Sequence, residues 1–233
     1  MFEEHKYEEL KKLGTELHIP ICEAFLKLEV LDKDGNLVQE HSQRGHSWVR
    51  NAYNLMFSGL AGKDANDDTF GAGKLSIKET DGSVRHKAVL LTITGIDTSA
   101  DDIGLGYLAG GSEDNWGILV GSGTNAESFE DYALQAQIAE GTGAGQISHV
   151  VSSTHSITYT AGTKVLKNDL IRYFNNNSGG SLSVNEVALV SKSFYYSQED
   201  YYLWARDRLG ATVTIADTGQ LKVTYTIQIT YPS

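Results

Sequence analysis

The sequence predicts a mainly β protein, an antiparallel β-sandwich (Ig-like or jelly-roll-like) with one covering helix and a short N-terminal helical arm. Three observations predict it. Residues 221–231 alternate without a break: Leu221, Val223, Tyr225, Ile227, Ile229 and Tyr231 take one face, and Lys222, Thr224, Thr226, Gln228 and Thr230 take the other. The chain holds 24 Gly but only Pro20 and Pro232, so Gly, Asn and Asp make the turns between many short alternating runs. Strong helical periodicity is confined to residues 47–60.

Residues 1–13 read as a short charged helix in which Tyr7, Leu10 and Leu13 share a face, Glu8 and Lys12 form an i,i+4 pair and Gly14 is the stop. A helix this short is marginal in water, so it docks on the body or orders on assembly. Residues 22–40 read as a hairpin: Leu26, Leu28 and Val30 alternate with Lys27 and Glu29, and Asp34-Gly35 makes the turn. The stretch Asp32–Asn36 has a faint likeness to a calcium loop, but acidic positions that such a loop needs are missing. In the helix at 47–60, Ser47 is the expected N-cap, Gly59 and Gly62 mark the end, and Val49, Ala52, Tyr53, Met56 and Leu60 are expected to face the core.

Residues 61–74 read as a loop, 84–96 as a central strand apolar on both faces, and 97–115 as a long acidic loop and candidate binding loop. Trp116–Val120 is a short strand that runs into the Gly-rich stretch 121–124. That stretch lacks the Lys-Ser/Thr of a phosphate loop and is expected to be a tight turn, as is 141–145. Residues 146–161 alternate as one strand with a solvent-facing hydroxyl row, and 165–174 form another strand. Leu182 and Val184 are out of phase with Val187 and Leu189, which predicts a β-bulge near Asn185 or Glu186. For 221–231, a one-residue slip in register would turn six apolar side chains to water, on the order of 10 kcal/mol at about 1.5–3 kcal/mol each. The expected organisation is an arm at 1–20 and a β-rich domain at 21–233, with a division into two subdomains near 115 left open.

The net charge of −11, with no cluster of Lys and Arg, argues against direct nucleic-acid binding. No apolar run reaches the ~18 residues of a membrane span, and the charged start is unlike a secretory signal. Cys22 is the single cysteine, so no intrachain disulfide can form. The seven histidines include no i,i+4 pair, Ser lacks a G-x-S-x-G elbow, and Cys22 has no evident base nearby. The sequence therefore nominates no catalytic residue, no metal ligand and no cofactor. An aromatic group comprising Tyr195, Tyr196, Tyr201, Tyr202 and Trp204, together with Trp116, is the expected interaction surface.

Four segments carry a family likeness: GHSWVRNAYNLMFSGL (45–60), NWGILVGSGTNAESFEDYALQAQIAEGTGAGQISH (115–149), NNNSGGSLSVNEVALVSK (175–192) and YLWARDRLGATVTIADTGQLKVTYTIQITY (202–231). Their order, a G-x-G turn before D-Y-x-L, then N-N-x-S-G, then A-R-D and a T-Y-T-I strand, resembles small virion proteins of tailed bacteriophages and prophages. The resemblance implies a non-enzymatic structural component, a head decoration, fibre or tail protein, assembled in the host cytoplasm into the virion. It implies other virion proteins and further copies of this chain as partners. The alternative reading is a carbohydrate- or receptor-binding module that meets a host-surface glycan or receptor through the aromatic cluster at 195–204 and the acidic loop at 97–115.

Overall fold

The computed structural model describes residues 2–86, 106–195 and 198–232. Helix α1 (Phe2–Leu17) precedes the hairpin of β1 (Ile21–Leu31) and β2 (Leu37–Gly45), then α2 (Arg50–Ala61) and the short β3 (Ile77–Lys78) and β4 (Val84–Arg85). There follow β5 (Gly117–Gly121), β6 (Ser148–His149), β7 (Ser156–Thr160), β8 (Val165–Asn175), β9 (Leu182–Tyr195), β10 (Gln198–Ile215) and β11 (Gln220–Thr230).

The strands pair antiparallel in two main sheets. The larger runs β2-β1-β11-β8-β6, with β7 also on β8, and the smaller runs β10-β9-β5. Alternation dictates which faces meet. Ala24, Leu26, Leu28 and Val30 of β1, Leu221, Val223 and Tyr225 of β11, and Leu170 and Phe174 of β8 pack against Ile118, Val120, Val184, Val187, Leu189, Val213 and Ile215 of the smaller sheet. Charged residues on the outward face of β1 pair with one another and with β11, as in Lys27–Glu29 and Glu29–Lys222 at 2.9 Å each. The β-sandwich with a covering helix is therefore observed.

The smaller sheet is covered on both faces. Ala188, Val190 and Leu203 pack on their outer side against Trp116, Leu119 and Val49. Leu182 and Val184 share the inter-sheet core with Val187 and Leu189, so the apolar phase of β9 does switch near Asn185. The irregularity sits on its partner, where the register jumps between Arg208 and Val213 opposite Glu186 and Val184.

Several expectations need correction. α1 passes through Gly14 and ends after Leu17, where His18 (φ 56°) takes the left-handed position and Ile19 N–H returns to Gly14 C=O at 2.8 Å. Gly14 is a point of close packing, since a Cβ there would lie 2.7 Å from the Ile21 side chain. Val49, not Ser47, precedes α2 in the cap position and makes no side-chain cap. Residues 146–161 are not one strand: β6 and β7 are separated by a stretch that makes isolated backbone bonds to β8, such as Val150 N–H to Tyr173 C=O and Ser153 N–H to Ile171 C=O. On β11 only Leu221, Val223 and Tyr225 are fully buried, and Tyr231, just past the end of the strand, is 41% exposed, so the core ends partway along the strand. The expected strand at 84–96 lies outside the described residues from 87 onward, as does residues 97–105 of the acidic loop.

Candidate interaction surface

The surface grows from how β10 holds the link between β2 and α2. The A-R-D triplet at 205–207 does this work. Ala205 bridges to Trp48, Val49 N–H donates to Trp204 C=O at 3.0 Å, and Arg206 N–H donates to Ser47 C=O at 3.2 Å. Asp207, sealed from solvent, accepts from His46 N–H at 2.8 Å, Ser47 N–H at 3.2 Å and the Tyr225 hydroxyl at 3.1 Å. The start of α2 is thereby fixed against the smaller sheet.

The helix then packs through its polar side. Asn51 is buried and pairs with one backbone position: its Nδ2 donates to Lys78 C=O at 2.7 Å and its Oδ1 accepts Lys78 N–H at 2.9 Å. Asn54 Nδ2 donates to Ser76 C=O at 2.6 Å. The inner side of α2 meets both backbone, at residues 76 and 78, which the two amides satisfy, and a small apolar cluster of Ala65, Ile77 and Tyr202 that Leu55 joins. The apolar stripe is consequently turned outward. Tyr53, Met56, Phe57 and Leu60, at i, i+3, i+4 and i+7, are 49%, 40%, 56% and 90% exposed. Phe129 extends the stripe, its ring 5.6 Å from that of Tyr53. Arg50 stacks on Phe129 at 4.6 Å and is paired with Glu130. Tyr53, Met56 and Leu60 thus correct the sequence expectation that they face the core. Phe57 and Phe129 were missed, although the helical spacing of the stripe is visible in the sequence.

The loop that presents Phe129 is anchored by a buried ion cluster. Arg206 Nε donates to Glu186 at 2.6 Å and Nη1 to Asp131 at 2.8 Å. Glu186 also accepts the N–H groups of Gly123 (3.1 Å), Gln135 (3.2 Å) and Ala136 (2.8 Å). The backbone at Gly123, Gln135 and Ala136 together thus cradles a carboxylate of the chain itself. A Cβ at Gly121 or Gly123 would collide with Glu186, which explains the G-x-G spacing.

The described members of the expected aromatic surface are buried or half-buried. Trp116 and Tyr202 are each 1% exposed. Trp204 is half-buried, donates from Nε1 to Ser191 Oγ at 2.7 Å and meets Tyr107 edge-on at 6.1 Å. Tyr201 is half-buried and donates to Glu199 at 2.5 Å, while Lys192 lies over the rings of Trp116 and Tyr201 at 5.2 and 6.0 Å. Tyr196 and the side chain of Tyr195 lie outside the described residues. Trp116 and Tyr201 pack in the outer-face cluster of the smaller sheet, Tyr202 packs against Ala65 and Ile77, and Trp204 packs against Tyr107.

A cleft of about 460 Å³ opens between α1, β2 and β10 and is lined by Glu4, Tyr7, Arg44, His46, Glu127 and Arg208 among others. His46, Glu127 and Asp207 each bring a ligand atom within 4.8 Å of the others and are the group that could hold a metal among the described residues. Their oxygens are already engaged: Glu127 accepts Arg208 N–H at 2.7 Å, and Asp207 holds the link described above. Burial pulls the His46 imidazole down, but the Arg44 carbonyl and the carboxylates of Glu127 and Asp207 outweigh it and raise the pKa. Burial pushes the Asp207 carboxyl up against the hydrogen bonds it accepts. Arg44 itself binds α1 to the body, with its guanidinium bonded to Glu4 and Glu23 at 2.6 Å each and lying 4.0 Å over the Tyr7 ring. α1 leaves Leu10, Leu13 and Leu17 at 45%, 50% and 57% exposed, a second outward stripe.

No helix among the described residues is long and apolar enough to cross a membrane. No protein-family model, no curated protein and no solved structure matches the chain.

Proposed function

We propose that this chain is a non-enzymatic structural component of a tailed-phage virion, a head decoration, fibre or tail protein that acts through protein–protein contacts. One observation carries the reading: α2 is held by asparagine amides so that Tyr53, Met56, Phe57 and Leu60 face outward beside Phe129. A contiguous exposed apolar patch on a rigidly anchored helix is characteristic of a surface that another protein covers. The order of the four sequence motifs supplies the phage context, and partners in the particle are the occupants it favours. The glycan-binding alternative draws no support from Trp116 and Tyr202, which are sealed in the interior.

Mass spectrometry of purified particles tests the reading, and particles that lack this chain overturn it. A Phe57→Glu, Leu60→Glu double variant should keep its fold, because both side chains are exposed, and should fail to enter particles in competition with the natural chain. Equal incorporation would show that α2 is not the contact surface.

A further inference from the structure

Sheet edges are templates for further strands, and proteins protect them with charge, proline, bulges or a covering segment. Most edges here are protected. Gln39 and Gln43 cover the backbone of β10 at residues 208–214. Residues 136–138 cover β5 through bonds to Ser122 and Val120. β2 carries Glu40 and Arg44.

Among the described residues nothing protects β7 in this way. Its sequence, Ser-Ile-Thr-Tyr-Thr, contains no charge and no proline; among the described strands it pairs only with β8, and all five residues are exposed. Ile157 is 62% exposed and Tyr159 53%. Register places these two on one sheet face: Tyr159 lies in the apolar row of Leu166, Ile229 and Cys22 with its ring 5.9 Å from that of Tyr231, and Ile157 lies in the row of Ile227 and Ala24 with Asn168 between. This is the part of the larger sheet past the point on β11 where the core ends.

We infer that β7 is a self-association edge, where a second copy of this chain adds its own β7 antiparallel about a two-fold axis at Thr158. The strand is self-complementary in that register. Thr158 meets Thr158 of the second copy, Ile157 meets Tyr159, and Ser156 meets Thr160. Aromatic and β-branched residues then share one face and hydroxyls the other, which are favourable cross-strand pairs. No like charges oppose each other, since Lys167, which lies across from Thr158 on β8, is three strand spacings from its counterpart. That is about 14 Å, beyond the Debye length of about 8 Å at physiological ionic strength. The interface is isologous, so it closes as a dimer. A five-residue strand pair is small, so association is concentration-dependent in solution and strengthened where copies are held side by side in a particle. The inference rests on the assembly reading above and names one of its contacts.

The test is cysteine cross-linking in a Cys22→Ser background, which removes the exposed native thiol. At the two-fold, opposed Cα atoms are about 4.5–5.5 Å apart, within disulfide reach. Thr158→Cys should give a disulfide-linked dimer on oxidation. Thr160→Cys should not, because its two copies lie about 13 Å apart. A Thr158→Lys variant should keep the unfolding midpoint and shift sedimentation at high concentration from twice the 25.4 kDa chain mass toward the monomer. Failure of Thr158→Cys to cross-link, equal cross-linking at both positions, or a natural chain that stays monomeric throughout overturns the inference. A chain that cross-links at Thr158 but is absent from particles overturns the virion reading alone. A particle-borne chain that does not cross-link overturns this inference alone.

Discussion

Arg206 donates to Glu186 at 2.6 Å with both side chains sealed from solvent, and the pair ties β9 and β10 to the loop that carries Phe129. Removing one partner of such a pair leaves a buried charge uncompensated. Arg206→Met should destabilise the protein by about 3–5 kcal/mol in chemical denaturation. Adding Glu186→Gln to it should cost much less than the sum of the two single changes, because the stranded carboxylate is gone. An additive double variant would show that the two residues act independently.

Arg172 is the second buried cation, and all five of its N–H donors are used. Nε bonds Val150 C=O at 3.0 Å, Nη1 bonds Trp116 and Ile118 at 3.1 and 3.0 Å, and Nη2 bonds Gly110 and Glu113 at 3.1 and 2.5 Å. Burial lowers its pKa to about 10, against the pull of Glu140, Glu113 and Asp114. Lysine has three donors and no fork, so Arg172→Lys strands at least two carbonyls. We expect a loss of roughly 2–5 kcal/mol in denaturant unfolding. A loss under 1 kcal/mol would mean that water replaces the missing donors.

The two glutamines of β2 behave as strand partners. Gln39 donates to Thr212 C=O and accepts Thr214 N–H at 3.0 Å each, and Gln43 donates to Arg208 C=O at 3.0 Å and accepts Gly210 N–H at 2.9 Å. Each Gln→Ala change should cost about 1–2 kcal/mol. Amide exchange should speed up at Thr214 for Gln39→Ala and at Gly210 for Gln43→Ala, with little effect across positions. Unchanged exchange would refute the clamp.

His46 and His149 should titrate on opposite sides of the ordinary histidine pKa of about 6.5. His149 is buried, and burial, then the Arg172 charge, lowers its pKa despite Glu140 at 2.9 Å. His46 is raised because the Arg44 carbonyl, Glu127 and Asp207 outweigh its burial. The linkage signs follow. His46 contributes stability that is complete below about 6.5 and is lost as pH rises through its folded pKa. The burial of neutral His149 is without penalty above about 6.5, and stability falls below it as the unfolded chain takes up a proton that the folded one refuses. NMR titration of the two imidazoles checks both directions, and a shared midpoint would contradict them.

How far the sequence speaks for the fold depends on where the deciding information lies. The alternation of β11 is local, so its face and register are readable residue by residue. Where the core stops, after Tyr225, depends on what packs against the strand, which β11 does not encode. The helical spacing of α2 is equally plain, and Val49 and Ala52 do turn inward, but Asn51 and Asn54 take much of the inner side to bond backbone at 76 and 78, and Tyr53, Met56 and Leu60 are left outside. The phase break in β9 was legible. The role of Glu186 was not, though a lone charge in an apolar run together with G-x-G at 121–123 is a usable signal for a buried, cradled anion. Trp116 and Tyr202 were misplaced because composition alone does not tell a covered sheet face from an open one.

The pairing of β1 with β11 has a consequence for the order of events in synthesis. Ile21 lies opposite Thr230, and β11 is the strand that joins the β1–β2 hairpin to β8. The hairpin emerges from the ribosome about two hundred residues before its partner exists, and until then the apolar row Ala24–Val30 has no sheet to join. Such long-range pairing slows folding and prolongs the exposure of sticky surface. The molecule is therefore one that completes its larger sheet only after translation has passed residue 230, and its most vulnerable interval is the wait of a nascent chain for β11.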